Sequence, residues 1–130
     1  MVNEELINNV NEATNIFYSS VFDALNNSQS SLILNSHDDT KSKIYDSIKR
    51  ESLFLKNNYD INDLKTELKS SEFYYENETY KGNVVVNLNY NIKKKLLPFI
   101  QSNVEEMFLT QIEYENNNWI VIDVQKFSME

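Results

Sequence analysis

The chain contains no cysteine, which removes disulfides, thiol nucleophiles and thiolate metal sites together. Glycine and proline occur once each, at Gly82 and Pro98, too sparsely for long flexible linkers or tandem subdomains. Arg50 is the only arginine and His37 the only histidine. No run approaches the roughly 20 apolar residues that a membrane-spanning helix needs. Met1-Val2-Asn3-Glu4-Glu5 has neither the basic nor the apolar segment of a signal peptide. No Ser-His-Asp arrangement, phosphate loop or metalloprotease helix signature is present, and no cofactor is expected. Positive charge is also short: the net charge of −8 argues against a nucleic-acid or anionic-membrane surface, since both reward clustered Lys and Arg. The one local exception is Lys93-Lys94-Lys95.

What remains is the composition of an ordinary globular protein. The 130 residues fit one domain spanning 1–130, 41% of them hydrophobic and 25% charged, enough to bury one continuous core. Asn, Lys, Ile and Tyr are abundant and have AT-rich codons, which points to a bacterium or phage with a low-GC genome.

Leu6, Val10, Ala13, Phe17, Val21 and Ala24 recur at spacings of three and four, one face of a helix laid on a sheet. Asn3 is the expected N-cap, Glu4 and Glu5 suit the positive end of the helix dipole, and Asn26-Asn27-Ser28 ends the helix. A short apolar knot follows, Leu32-Ile33-Leu34. Asp38-Asp39-Thr40 then offers caps for a second helix that carries Ile44, Ile48 and Leu55 on one face and fades near Asn57-Asn58.

From Leu64 the period becomes two. Leu64, Thr66 and Leu68 alternate with Lys65, Glu67 and Lys69, and Phe73-Tyr74-Tyr75 extends the strand to a turn over 76–81. Val84, Val86, Leu88, Tyr90 and Ile92 then alternate with Asn87, Asn89 and Asn91, the cleanest half-buried antiparallel strand in the chain. A third strand is expected over 105–115, with Phe108, Ile112 and Tyr114 inward. The fourth, over 119–126, is apolar on both faces for four residues, as a central strand under helices would be. Pro98 bars a regular strand between Lys93 and Asn103, so Leu96-Leu97-Pro98-Phe99-Ile100 is expected on a loop or short helical turn. The fold class predicted is α+β, two or three N-terminal helices on a curved, mostly antiparallel four-stranded sheet.

Helix, apolar connector, second helix, then a meander with Gly82-Asn83-Val84-Val85-Val86-Asn87-Leu88 and a terminal Asn117-Asn118-Trp119-Ile120-Val121-Ile122-Asp123-Val124 resembles the nuclear transport factor 2-like (cystatin-like cone) superfamily. The resemblance covers roughly residues 11–127. It is nearest to accessory domains of Gram-positive cell-envelope proteins, such as those preceding amidase domains. It implies a cone-like sheet, whose concave mouth in related isomerases holds an acid and a tyrosine; the matching inward candidates are Tyr45, Tyr90, Tyr114 and Asp123. The family includes enzymes and inert binding modules alike, so the likeness bears on shape more than on activity.

Other candidates have plainer readings. His37 lies among Ser36, Asp38 and Asp39 in an exposed loop, with no second histidine to share a metal. Asp38-Asp39 and Glu105-Glu106 lack the spacing of a calcium loop and read as solvated acid pairs. Leu96, Leu97, Phe99 and Ile100, beside three lysines, form either an exposed patch that docks a partner or a second copy, or a plug that folds over the open end of the cone.

These readings favour a non-catalytic binding or scaffolding module of a bacterial cell-envelope protein, contacting a protein or a wall-associated ligand, as a monomer or weak homodimer. The sequence carries no catalytic residue set, metal site or nucleic-acid interface. The expected location is extracytoplasmic, for a trimmed domain; with Met1 as the native start it becomes cytoplasmic. Two alternatives are a small cone-pocket enzyme or ligand carrier with a buried acid near Tyr90 or Tyr114, and a cytoplasmic acidic protein that masks a basic partner.

Overall fold

The apolar stripe of the first helix decides how the chain packs. In the computed structural model, which describes residues 4–55 and 59–128, α1 spans Glu4–Asn27. Val10, Ala13, Phe17, Val21 and Ala24 are all buried on the sheet. The expected cap at Asn3 and the second helix's expected end at Asn57-Asn58 lie outside the described residues, as does the side chain of Leu6. Tyr18 and Phe22 widen the buried face beyond the stripe. The Tyr18 hydroxyl shares a 2.7 Å hydrogen bond with Thr110 across the core. Ser28, at φ 52°, turns the chain out of the helix.

The apolar knot is split by a single 3-10 turn at Ser30–Leu32, which buries Ile33 and leaves Leu32 and Leu34 outside. The Leu34 N–H donates to Ser20 Oγ at 2.8 Å, tying the connector to α1. A second 3-10 turn, Asp38–Thr40, leads into α2, Lys41–Glu51. Ile44 and Ile48 face the core as expected. The helix ends earlier than its apolar spacing suggested. Ser52 takes an extended backbone there, and Leu55 is buried from the loop that follows rather than from a helical face.

Four antiparallel strands complete the α+β fold in the order β1-β2-β3-β4, an open sheet rather than a closed barrel. They are β1 Tyr59–Glu76, β2 Thr79–Lys94, β3 Leu97–Glu115 and β4 Asn118–Phe127. The two hairpin turns β1–β2 and β3–β4 have two residues each, Asn77-Glu78 and Asn116-Asn117, all four with positive φ. That geometry matches the right-handed twist of the flanking strands, and Asn tolerates it better than most residues. In a chain with one glycine, asparagine supplies the left-handed turns.

Three expectations are corrected. β4 lies at the sheet edge, not the centre; its apolar run is explained by α1 and α2 on one side and by a bridge from Ser36 to Val121, where the Val121 N–H donates to Asn35 O at 2.8 Å. The turn after β1 is shorter than 76–81. Pro98 stands within β3, at an irregularity where the register jumps from Lys93↔Gln101 to Lys94↔Leu97. Residues 98–100 thus have no partner in the β2–β3 register, and β4 pairs with β3 only from Met107, so Pro98 interrupts no ladder on either side.

Trp119 is fully buried, with Tyr114 and Phe73 packed at ring-centroid distances of 5.2 and 5.7 Å. Gly82 sits opposite Phe73 and Ile112. A Cβ there would come within 2.9 Å of the Phe73 ring and 3.2 Å of Ile112, so the strand is smooth at Gly82 because its neighbours fill the space.

Candidate functional site

The four tyrosine and acid candidates do not converge. Tyr90 is buried from β2, its ring edge-on to Phe22 at 5.0 Å. Tyr114, half-buried, packs on Trp119. Tyr45 lies on α2 with the Lys49 ammonium 5.2 Å from its ring centroid. Asp123 pairs in register with exposed Gln111, on the face turned away from Phe108, Thr110 and Ile112, so it cannot act with Tyr90. Asp123 is thereby removed from any inward pocket.

The acid beside Tyr90 is Glu106, and its reading as one of a solvated pair is wrong. Its carboxylate is buried and meets four donors from three places in the chain. The Tyr90 hydroxyl donates to Oε1, and Ser52 Oγ donates to the same oxygen at 2.5 Å. The Leu53 N–H reaches Oε2 at 3.1 Å, and Lys126 Nζ at 2.7 Å. Ser52 Oγ also accepts from the N–H groups of Phe54, at 3.1 Å, and Leu55, at 2.8 Å. One serine therefore stops α2, shapes the loop and donates a hydrogen bond to the carboxylate.

Burial alone pushes the Glu106 carboxyl up. The Lys126, Ser52, Tyr90 and Leu53 donors outweigh it and hold the group below the usual carboxylate range. Burial, then the neighbouring carboxylate, push the Tyr90 hydroxyl up. At neutral pH the pair is thus an ionised acid and a protonated phenol. A general acid or base needs a free lone pair or a transferable proton near its working pH. Glu106 offers neither: its oxygens are filled, and its charge is compensated by Lys126.

A signal for this group was present in the sequence. Glu106 has the same parity as Phe108, Thr110 and Ile112, so it falls on the inward face of β3, and Lys126 falls in phase with Val124 on β4. Its neighbour Glu105 is exposed and accepts from Asn89 at 2.8 Å.

His37, 43% exposed, donates from Nε2 to Glu115 at 2.9 Å, and that bond raises the imidazole above its ordinary value. The other notable polar group is on the far sheet face. Asn103 Nδ2 donates to Asn89 at 2.9 Å and Asn91 at 3.0 Å, and Asn91 donates to Asp63 at 2.9 Å. These side chains line an open groove of about 500 Å³ but occupy one another. Among the described residues no cluster of His, Cys, Asp and Glu could hold a metal ion, and no helix is long and apolar enough to cross a membrane.

The hairpin tip between β2 and β3 is different in kind. Leu96 is 94% exposed and Phe99 81%, with Ile100 and Leu97 exposed beside them. These four residues make the tip an exposed apolar knob, next in sequence to Lys93, Lys94 and Lys95.

Compared with known families and with curated proteins, the chain matches no family model and no curated sequence.

Proposed function

We propose that this chain is a non-catalytic binding or scaffolding module of a bacterial cell-envelope protein, with a cone-like sheet of the nuclear transport factor 2-like kind. The observation that carries the reading is the knob at residues 96–100. Burying large apolar side chains is worth roughly 1.5–3 kcal/mol each, and here four of them are left in water at one point. A hairpin that exposes them gains from contact with another surface. The Glu106 cluster supports the same reading, because it spends a buried carboxylate on joining α2, β2, β3 and β4 rather than on an open site.

The alternative, a small cone-pocket enzyme or ligand carrier, rests on the Tyr90–Glu106 pair and is weakened by the four donors that already fill the carboxylate. Retention on envelope fractions of a low-GC Gram-positive bacterium distinguishes the two. The wild-type domain should be retained and Leu96→Asp/Phe99→Asp should pass through with its melting temperature unchanged. Equal retention of both proteins would count against the tip as the contact surface.

A further inference from the structure

We infer that the β2–β3 tip is a membrane-surface anchor, which seats its apolar knob in the headgroup region of an anionic bilayer. This deepens the proposed contact function and rests on it. Leu96 and Phe99 are nearly free of protein contact, and Lys93, Lys94 and Lys95 stand beside them. An apolar apex bordered by ammonium groups matches a bilayer interface in order: acyl chains outermost from the protein, then phosphates level with the lysines. Lysine side chains reach back to the headgroups while their stems lie along apolar surface.

The backbone sets the depth. Pro98 has no N–H, and residues 98–100 have no partner in the β2–β3 register. Backbone polar groups left outside the ladder need water or headgroups, which favours a seat in the interface over deeper insertion. A bilayer also requires no shaped socket, which suits a convex knob better than a preformed protein groove does.

The charge of −8 is the objection, and distance answers it for the acids further down the sheet. Asp60 stands opposite Lys93, and Asp63 is bonded to Asn91, two residues further down β2. Glu105, opposite Asn89, is four residues from Lys93, about 13 Å at strand rise and beyond a Debye length of about 8 Å. Lys94, opposite Tyr59, and Lys95, in the turn, follow the Asp60–Lys93 pair toward the tip. Asp60 and Asp63 therefore offset part of the lysine charge at the base of the tip, while acids further down the sheet, Glu105 among them, are screened from the surface. A second copy of the same acidic chain is a poorer occupant, since docking brings the two bodies close.

Co-sedimentation of the full chain with phosphatidylglycerol-containing vesicles and with pure phosphatidylcholine vesicles tests this. Binding should occur on the anionic vesicles, weaken about a hundredfold in Lys93→Gln/Lys94→Gln/Lys95→Gln, and fall by a similar factor in Leu96→Ser/Phe99→Ser. High salt should release the wild type. In Phe99→Trp, brominated lipid should quench the indole at the tip and blue-shifted emission should accompany binding. Absence of wild-type binding, or binding that both sets of changes leave intact, overturns the inference. If vesicles fail while detergent-stripped envelope fractions still retain the domain through Leu96 and Phe99, a protein is the occupant: the lipid assignment falls and the contact-module reading stands.

Discussion

Replacing Glu106 with glutamine keeps the volume and the rotamer while removing one charge from a site where four donors converge. The amide presents one accepting oxygen and an NH2 group that faces donors, so at least one of the Tyr90, Ser52, Leu53 and Lys126 bonds is lost. An unmatched buried polar group costs about 1–3 kcal/mol. Breaking a fully buried ion pair costs about 3–5 kcal/mol, but Lys126 is 28% exposed and recovers part of its hydration. The expected loss is about 2–4 kcal/mol at neutral pH, read from urea unfolding. Because the folded carboxyl is held below its ordinary value of 4.5, its contribution is present above that pH and lost as pH falls through the folded value. Wild type and Glu106→Gln should therefore differ most at neutral pH and converge in acid. A difference under about 0.5 kcal/mol at neutral pH, or one that stays constant down to about pH 3, would refute the saturated-carboxylate argument.

Gly82→Ala should destabilise by about 1–3 kcal/mol through crowding rather than backbone strain, since its φ is not positive and the new methyl meets Phe73 and Ile112; thermal melts of Gly82→Ala with and without Phe73→Leu check this, and a relief absent in the double variant would point to another cause. His37, raised by Glu115, should stabilise the fold below about pH 6.5 and lose that contribution as pH rises through the folded value, by no more than about 1 kcal/mol because both partners are partly exposed. An NMR titration should place the imidazole above 6.5 and return it toward that value in Glu115→Gln.

What could be read from the sequence depended on whether the cause was local. The stripe from Val10 to Ala24 and the alternation from Val84 to Ile92 are local periodicities, and both elements lie where the pattern puts them. The end of α2 was hidden because its cause, Glu106, is 54 positions from Ser52. Glu106 was hidden by its neighbour: two adjacent acids look solvated until strand parity sends one to each face. β4 looked central because four apolar residues in a row suggest cover on both faces, and helices plus a bridging segment supply cover to an edge strand as well. The β3–β4 turn was legible from its run of asparagines, whereas the β1–β2 turn was drawn too long because Asn77 and Glu78 do the work usually signalled by glycine.

The sequential strand order has a consequence for synthesis. Each hairpin can close on the strand just made, through connections of two residues, but α1 packs on β1 and on β4, the last strand to emerge. Its bond from Tyr18 to Thr110 spans 92 positions. At about 5–20 residues per second, the first helix waits on the order of 5–20 seconds for that partner. During this interval the side of α1 bearing Phe17, Tyr18 and Val21 has no completed sheet to cover it, so the nascent chain is most vulnerable to aggregation, and most in need of a chaperone, at its own N-terminal helix.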